Sequence, residues 1–279
     1  MNIKRFDKAL KAIKNAKYIL IGAGAGLSSA AGITYSGKRF EDNFKDYIDE
    51  YAFTDLYSSG FYPFKTSEEK WAYWARHIAF NRYDVGKTST YEKLLKLVDN
   101  KDYFVLTTNV ESQFWINGFE NSRIFATQGD YGLLQCSKAC HDKTYPNEKN
   151  VMQWISQTND FKIPTELIPI CPICGSEMEV NLRVDNFFVE DENWHWMKSN
   201  YENFLKRIDD ECILLEIGVG YNTPGIIRYP FENMTFENSN FTLIRINKDY
   251  PEAITQNKSK TISFDEDINN LLDYWLSRL

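Results

Sequence analysis

Near the start of the chain apolar residues recur at helical spacing: Phe6, Ala9, Leu10 and Ile13 fall on one side of residues 4–14. The pattern then changes. Lys17 to Ile21 is a short, almost unbroken apolar run and reads as a buried strand. Gly22 to Gly26 makes a turn, and Leu27 to Ala31 opens a helix. Residues 67–83 predict an aromatic helix with Trp71, Trp74 and Ile78 on one side. Residues 89–98 predict another, with Leu94, Leu95 and Val98 inward. Further strands are expected at 103–107, 123–127, 185–189, 212–217 and 241–246, and a closing amphipathic helix at 269–279. Strands alternating with helices indicate an α/β fold with a mostly parallel sheet.

Residues 133–180 break this rhythm. They are polar, rich in turn residues and bounded by two cysteine pairs, so they read as a small metal-bearing insert. The expected division is therefore a Rossmann-like domain from residues 1–132 and 181–279, with 133–180 as the insert. No internal repeat or low-complexity tract is present.

Composition narrows the function. With 279 residues, 43% of them hydrophobic, the chain can bury a large core. A net charge of −7 argues against nucleic-acid binding, which needs a basic face. No apolar run is long enough to span a membrane, and the charged start lacks the apolar centre of a signal peptide. A cytoplasmic location is expected, with no membrane and no nucleic-acid partner.

Two features carry chemistry. The first is the strand–glycine turn–helix around Gly22, Gly24 and Gly26, where exposed amides and a helix start favour a phosphate. A tight turn without a ligand would look the same. No acidic residue closes a second strand about 20 residues on, as the common dinucleotide fingerprint requires, so a different NAD geometry is indicated. The second feature is Cys136-x3-Cys140 with Cys171-x2-Cys174. Two thiolate pairs make a closed, structural zinc site with no open position for a catalytic water. His141 is an alternative ligand to Cys140. Cys212, the fifth cysteine, reads as a core residue.

Taken together, the motifs resemble the sirtuin family over nearly the whole chain. Gly24-Ala-Gly-Leu-Ser-Ser-Ala-Ala-Gly-Ile33 resembles the first sirtuin motif, and Thr107-Thr-Asn-Val-Glu111 the second. Gln128-Gly129 stands where sirtuins have His-Gly. Gly218-Val-Gly220 resembles the segment near the ribose, and Ile246-Asn247 the pair on the adenosine side. Asp185-Asn-Phe-Phe-Val-Glu190 resembles the strand that pairs with a substrate peptide. The resemblance implies a Rossmann-like large domain, a small zinc domain, and NAD in the cleft between them. It assigns NAD contacts to Gly24, Ala25, Gly26, Ser28, Ser29, Thr108, Asn109, Glu111, Gly218, Val219, Gly220, Asn247 and Asp265.

The departures point further. A glutamine cannot take a proton near neutral pH, so Gln128 cannot serve as the histidine base of a sirtuin deacylase. The usual Pro-Asp-Phe-Arg stretch is replaced by Thr34-Tyr-Ser-Gly-Lys-Arg-Phe40, which puts Arg39 forward for phosphate binding and Phe40 for shielding the nicotinamide. These changes resemble the macrodomain-linked class M sirtuins, which are associated with ADP-ribosylation of a lipoyl-carrier protein resembling glycine cleavage H protein. That resemblance assigns catalytic positions to Asn109, Gln128 and Arg183. It implies an NAD-dependent protein mono-ADP-ribosyltransferase that releases nicotinamide, with structural zinc, a lipoyl-carrier acceptor and a macrodomain ADP-ribose hydrolase as functional partner. A lysine deacylase, an NAD hydrolase and a non-catalytic NAD or ADP-ribose sensor are the alternatives. Arg183 could equally form a surface salt bridge, and Asn109 a helix cap.

Overall fold

A computed structural model describes residues 3–279. It opens with α1 (Ile3–Asn15), β1 (Tyr18–Ala23) and α2 (Ala25–Ala30). A helical stretch follows: α3 (Lys38–Asn43), α4 (Lys45–Tyr51), α5 (Leu56–Ser59) and α6 (Ser67–Ile78), which continues as a π-helical turn over Ala79–Tyr83. Next come α7 (Ser89–Val98), β2 (Asp102–Thr107), α8 (Gln113–Ile116) and β3 (Ile124–Ala126). β4 (Gly129–Cys136), β5 (Tyr145–Pro146), α9 (Glu148–Gln157) and β6 (Met178–Leu182) precede α10 (Glu192–Lys206). The chain ends with β7 (Cys212–Ile217), α11 (Arg228–Glu237), β8 (Phe241–Ile246), β9 (Thr261–Phe264) and α12 (Ile268–Leu276).

Two compact units result. The first takes the chain up to Ala31, Lys87–Gln128 and Asn193–Leu279. Its sheet has the order β3-β2-β1-β7-β8-β9, and every pairing is parallel. β1 and β7 are buried along their whole length. Both faces are covered by helices, which is why these strands read as largely apolar runs, with Glu216 of β7 paired to the buried Arg245. On one face Ile19, Ile21, Ile213, Leu215 and Ile244 join the inward residues of α1, α7 and α12 in a single core. On the other, Phe104 meets Phe204 of α10 at 5.4 Å, and α11 lies so close over Gly22 that a Cβ there would strike Ile227 and Phe231.

The second unit comprises Gly32–Gly86 and Gly129–Glu192. Its antiparallel sheet has the order β5-β4-β6. The sequence-based limits are thus displaced: residues 32–86 belong with the cysteine-bearing segment, and that segment is more than a turn-rich insert. The reason is aromatic packing. Trp71 of α6 meets Trp154 of α9 at 4.8 Å, and Phe44, Tyr47, Phe53 and Tyr73 form a ring-on-ring core. Phe40 is buried in it, stacked on Phe44, and so is not placed to shield a ligand.

The strand expected at 185–189 does not form. Side chains capture the backbone there instead. Asp185 accepts from the Phe187 amide; Gln135 donates to the Phe187 carbonyl and accepts from the Val189 amide; Asn181 donates to the Val189 carbonyl. These bonds replace a ladder with a side-chain-pinned loop.

His77 lies in this unit and packs, as its aromatic surroundings suggest. It is 1% exposed, shares a 3.0 Å hydrogen bond with the Tyr73 hydroxyl through Nδ1, and has no partner for Nε2 among the described residues. Burial, reinforced by Arg39, pushes its pKa down to about 3. A base depressed in the folded state stabilises above its unfolded pKa, and that stability is lost as the pH falls. Between pH 7 and pH 5 the loss from His77 alone is about 2 kcal/mol. Unfolding free energies at the two pH values are expected to differ by about that much more in the wild type than in His77→Phe; equal differences would refute the assignment.

Candidate functional site

The order of the large sheet reverses at β1: β2 and β3 lie on one side, β7, β8 and β9 on the other. Open α/β sheets bind ligands outside the carboxyl ends of their strands at such a switch point. The sequence candidates gather there. Gly24 follows β1, and Asn109 lies just past β2. Gln128 lies just past β3, which is in register with β2 as Thr107 is with Ala126. Gly218 follows β7 and Asn247 follows β8.

The glycines serve loop packing as well as ligand access. A Cβ on Gly24 would lie 2.7 Å from the Gly218 carbonyl oxygen, and one on Gly26 2.6 Å from the Gly218 Cα. Gly218 has φ +62°, and its own Cβ would lie 2.5 Å from Gly26. The Gly26 amide donates to the Gly218 carbonyl and the Gly24 amide to the Ile217 carbonyl, both at 3.0 Å. These two amides are therefore spent within the chain. Ala25 and Ser29 are exposed on α2, while Ser28 points inward.

Ser28 belongs to a buried polar cluster. Its hydroxyl donates to Glu111 Oε1 at 2.5 Å and lies 3.0 Å from the Tyr91 hydroxyl. Asn109, 8% exposed, donates through Nδ2 to the Gly24 carbonyl, Ser28 Oγ and Tyr91 Oη. The carbonyl partner fixes which end of the amide is nitrogen. Asn109 Oδ1 makes no hydrogen bond among the described residues. Glu111 is 3% exposed, and burial raises its pKa above the ordinary carboxylate value. Thr108 donates its amide to the Ala23 carbonyl and joins the second strand end to the first. The sequence reading missed Tyr91. Its only signal was a tyrosine on the inward side of the 89–98 helix.

Across the switch point, Asn247 latches two loops together. Its Nδ2 donates to the Val219 carbonyl at 2.7 Å, and its Oδ1 accepts from the Asp249 and Tyr250 amides. Gly220 is exposed, and nothing lies within 4 Å of where its Cβ would be. Asp265 pairs with Arg5 at 3.5 Å and is mostly exposed.

Gln128 is half-buried and makes no hydrogen bond within the described residues. Arg183, in the second unit, pairs with Glu190 at 2.6 Å and lies over the Phe188 ring at 4.1 Å. Arg39 has a different environment. It donates to the Thr34 and Phe80 carbonyls and to Asn81 Oδ1, stacks 3.8 Å from the Phe80 ring, and has no carboxylate within 4 Å among the described residues. A half-buried guanidinium compensated only by neutral acceptors suits an anion.

The four cysteines converge as expected. Their sulfur atoms all lie within 4.8 Å of one another; Cys136 and Cys174 are 3.5 Å apart, Cys140 and Cys171 3.7 Å. Tetrahedral zinc with Zn–S bonds near 2.3 Å places its sulfurs about 3.8 Å apart, so the set fits the ion. His141 Nδ1 lies 3.0 Å from Cys140 Sγ, and its Nε2 bonds the Tyr145 hydroxyl. That arrangement supports the thiolate from outside the set. Cys212 is buried in β7, where burial pushes its thiol pKa up to about 12.

Two outcomes follow. Removing the metal with a chelator, or replacing Cys171 by Ser, is expected to lower the thermal midpoint and increase protease cleavage within residues 129–192; an unchanged midpoint would remove the metal from the account of stability. Gly218→Ala is expected to cost at least about 2 kcal/mol in denaturant unfolding, because it combines strain with a backbone clash.

No protein-family model matches the chain. It is 38% identical to a protein ADP-ribosyltransferase of Staphylococcus aureus over 96% of this chain and 86% of that protein. It is 32% identical to a probable bifunctional ADP-ribose hydrolase/ADP-ribosyltransferase of Fusarium oxysporum, covering 87% of this chain and 42% of that longer protein. Among solved structures, a triple mutant of a Sir2 homologue in complex with 2'-O-acetyl ADP ribose matches with TM-score 0.61 at 16% identity, over 97% of this chain and 95% of the other. Sir2Tm bound to a propionylated peptide matches with TM-score 0.59 at 16% identity, over 99% and 98%. The chain therefore belongs to the protein ADP-ribosyltransferase family represented by the Staphylococcus relative, and it shares the fold of the Sir2 structures.

Proposed function

We propose that the chain transfers a single ADP-ribose unit from NAD to a lipoyl-carrier protein, with Asn109 and Gln128 at the reacting end. The observation that carries this reading is Gln128. It stands just past β3, which pairs with β2, the strand that Asn109 follows, and it is an amide with no hydrogen-bond partner among the described residues. An amide there can orient a ribose hydroxyl or an acceptor but cannot accept a proton near neutral pH. That chemistry suits transfer to an incoming nucleophile better than base-assisted deacylation.

In the proposed reaction the bond between nicotinamide and the anomeric carbon breaks, and nicotinamide leaves neutral with the electron pair. A lone pair of the acceptor forms the new bond to that carbon, and any proton on the acceptor passes to water. Asn109 Oδ1 accepts from a ribose hydroxyl, placing a fixed dipole beside the developing positive charge. Its nitrogen is held by the Gly24 carbonyl, Ser28 and Tyr91, so its orientation is set before the ligand arrives. Glu111 acts through Ser28, keeping that hydroxyl aligned. Arg183 recognises the carrier by exchanging Glu190 for a carrier group. A macrodomain ADP-ribose hydrolase removes the mark; the two activities joined in the name of the Fusarium relative support that pairing.

Intact mass after incubation with NAD is expected to show one added ADP-ribose on the lipoylated carrier and none without lipoate. Equal labelling of both forms would reject the lipoyl cue, and deacylation of an acyl-lysine peptide without labelling would reject the transferase assignment at the residue level. Asn109→Ala is expected to slow nicotinamide release about 100-fold. Gln128→His is expected to introduce a titration near pH 6.5 into a transfer rate that otherwise lacks one from this position.

A further inference from the structure

β9 is the last strand in the order of the large sheet, and among the described residues it pairs with β8 alone. Its bonds to β8 run through alternate residues. The Leu243 amide donates to the Lys260 carbonyl and the Asn247 amide to the Phe264 carbonyl, both at 2.9 Å. In a parallel ladder the residues between turn their backbone groups the other way. The N–H and C=O of Thr261 and Ser263 therefore face the open edge. The side chains are sorted as well. Ile262 and Phe264 enter the core, where Phe264 meets Phe6 of α1 at 5.4 Å, while Thr261 and Ser263 stay half-buried.

An open trough of about 510 Å³ runs along this edge. Lys4, Arg5 and Lys8 of α1 and Lys258 of the loop before β9 line it together with Thr261 and Ser263, and no acidic residue does. Arg5 is paired with Asp265 and Glu266, at 3.5 and 2.5 Å. Asp7, the one acid of α1, accepts from the Tyr274 hydroxyl. Lys4, Lys8 and Lys258 are exposed and have no ion pair among the described residues. The whole chain carries a net charge of −7, so three lysines gathered without a carboxylate run against its composition.

Unpaired sheet edges recruit further strands unless something opposes it. Lysines beside this edge oppose a second copy of the chain, whose own β9 would bring the same charges. They favour a strand that carries carboxylates, so one set of charges both rejects and selects. The alternating donors and acceptors of Thr261 and Ser263 match a peptide backbone; a phosphate chain offers acceptors alone and would meet the two carbonyls unfavourably. We propose that the β9 edge docks an acidic, extended segment of a partner protein as a seventh strand of the sheet, its carboxylates reaching Lys4, Lys8 and Lys258. None of these lysines belongs to the strand-end site, so the inference does not rest on the transferase reading.

The test uses the full-length protein and a fluorescein-labelled peptide containing Glu-Val-Glu-Glu-Val-Glu, which presents carboxylates on both faces when extended. Fluorescence anisotropy is expected to show binding. Replacing every Glu of the peptide by Gln is expected to weaken it about 10-fold or more, as is combining Lys4→Glu, Lys8→Glu and Lys258→Glu in a variant that melts like wild type. N-methylation of alternate peptide amides keeps every charge but removes the edge bonds, and is expected to weaken binding by a similar factor. Hydrogen exchange at Thr261 and Ser263 is expected to slow when the peptide is bound. Absence of binding, equal binding of the Gln or N-methylated peptide, or unchanged exchange at these two residues overturns the proposal. A dimer that dissociates in the triple variant would make the edge an interface between copies, and tighter binding of a single-stranded oligonucleotide, lost in that variant, would make it a nucleic-acid site; either result overturns the acidic peptide.

Discussion

The close approach of the β1–α2 turn to the exit of β7 is the constraint on which the site depends. It brings Gly24 and Gly26 against Gly218 at distances no side chain could tolerate. Two backbone hydrogen bonds seal it. Because β1 and β7 flank the switch point of the sheet, this contact fixes the floor of the strand-end site. The same turn presents the Gly24 carbonyl to Asn109, so the orientation of that side-chain amide depends on it too. Glycine at these positions is thus a packing requirement first, and the surface open to a ligand is a consequence.

Around that floor the protein buries polar groups on both sides, for different ends. On the β2 side Ser28, Tyr91, Asn109 and Glu111 satisfy one another and, among the described residues, leave Asn109 Oδ1 unbonded. On the β8 side Glu216, Glu232, Arg228 and Arg245 neutralise in two pairs and hold the exposed rings of Tyr221 and Tyr250 in place. Burial raises the pKa of Glu111 and Glu216 alike. Only Glu216 has cations against it, Arg245 and Arg228. The second unit solves a different problem. It has a small three-stranded sheet and packs it with large aromatic side chains. It relies on stacked aromatic rings and on four thiolates arranged for a metal.

The strands of the parallel sheet were legible because they are covered on both faces and so are mostly apolar, the charged Glu216 and Arg245 being paired with each other across β7 and β8. The runs at 212–217 and 241–246, and the helix at 89–98, correspond to β7, β8 and α7. The cysteine spacing was legible because ligand geometry restricts it. The loop at 185–189 was misread because its apolar composition matched a strand, while two of the bonds that bend it come from Gln135, distant in sequence. The grouping of residues 32–86 with the cysteine-bearing segment was hidden for a related reason. Their rings meet partners such as Trp154 that no local pattern connects to them.

The sequence by itself determined the α/β class, the glycine turn and the thiolate set. Each of these is a property of residue type and local spacing. Only the tertiary structure decided which groups meet. It spends the Gly24 and Gly26 amides on the exit of β7, brings Tyr91 to Ser28, and, among the described residues, leaves Asn109 Oδ1 without a hydrogen bond and Arg39 without a carboxylate. It also stands Tyr221 and Tyr250 on a buried arginine. These outcomes depend on side chains distant in sequence sharing a low-dielectric space, where each must find a partner or remain available for a ligand.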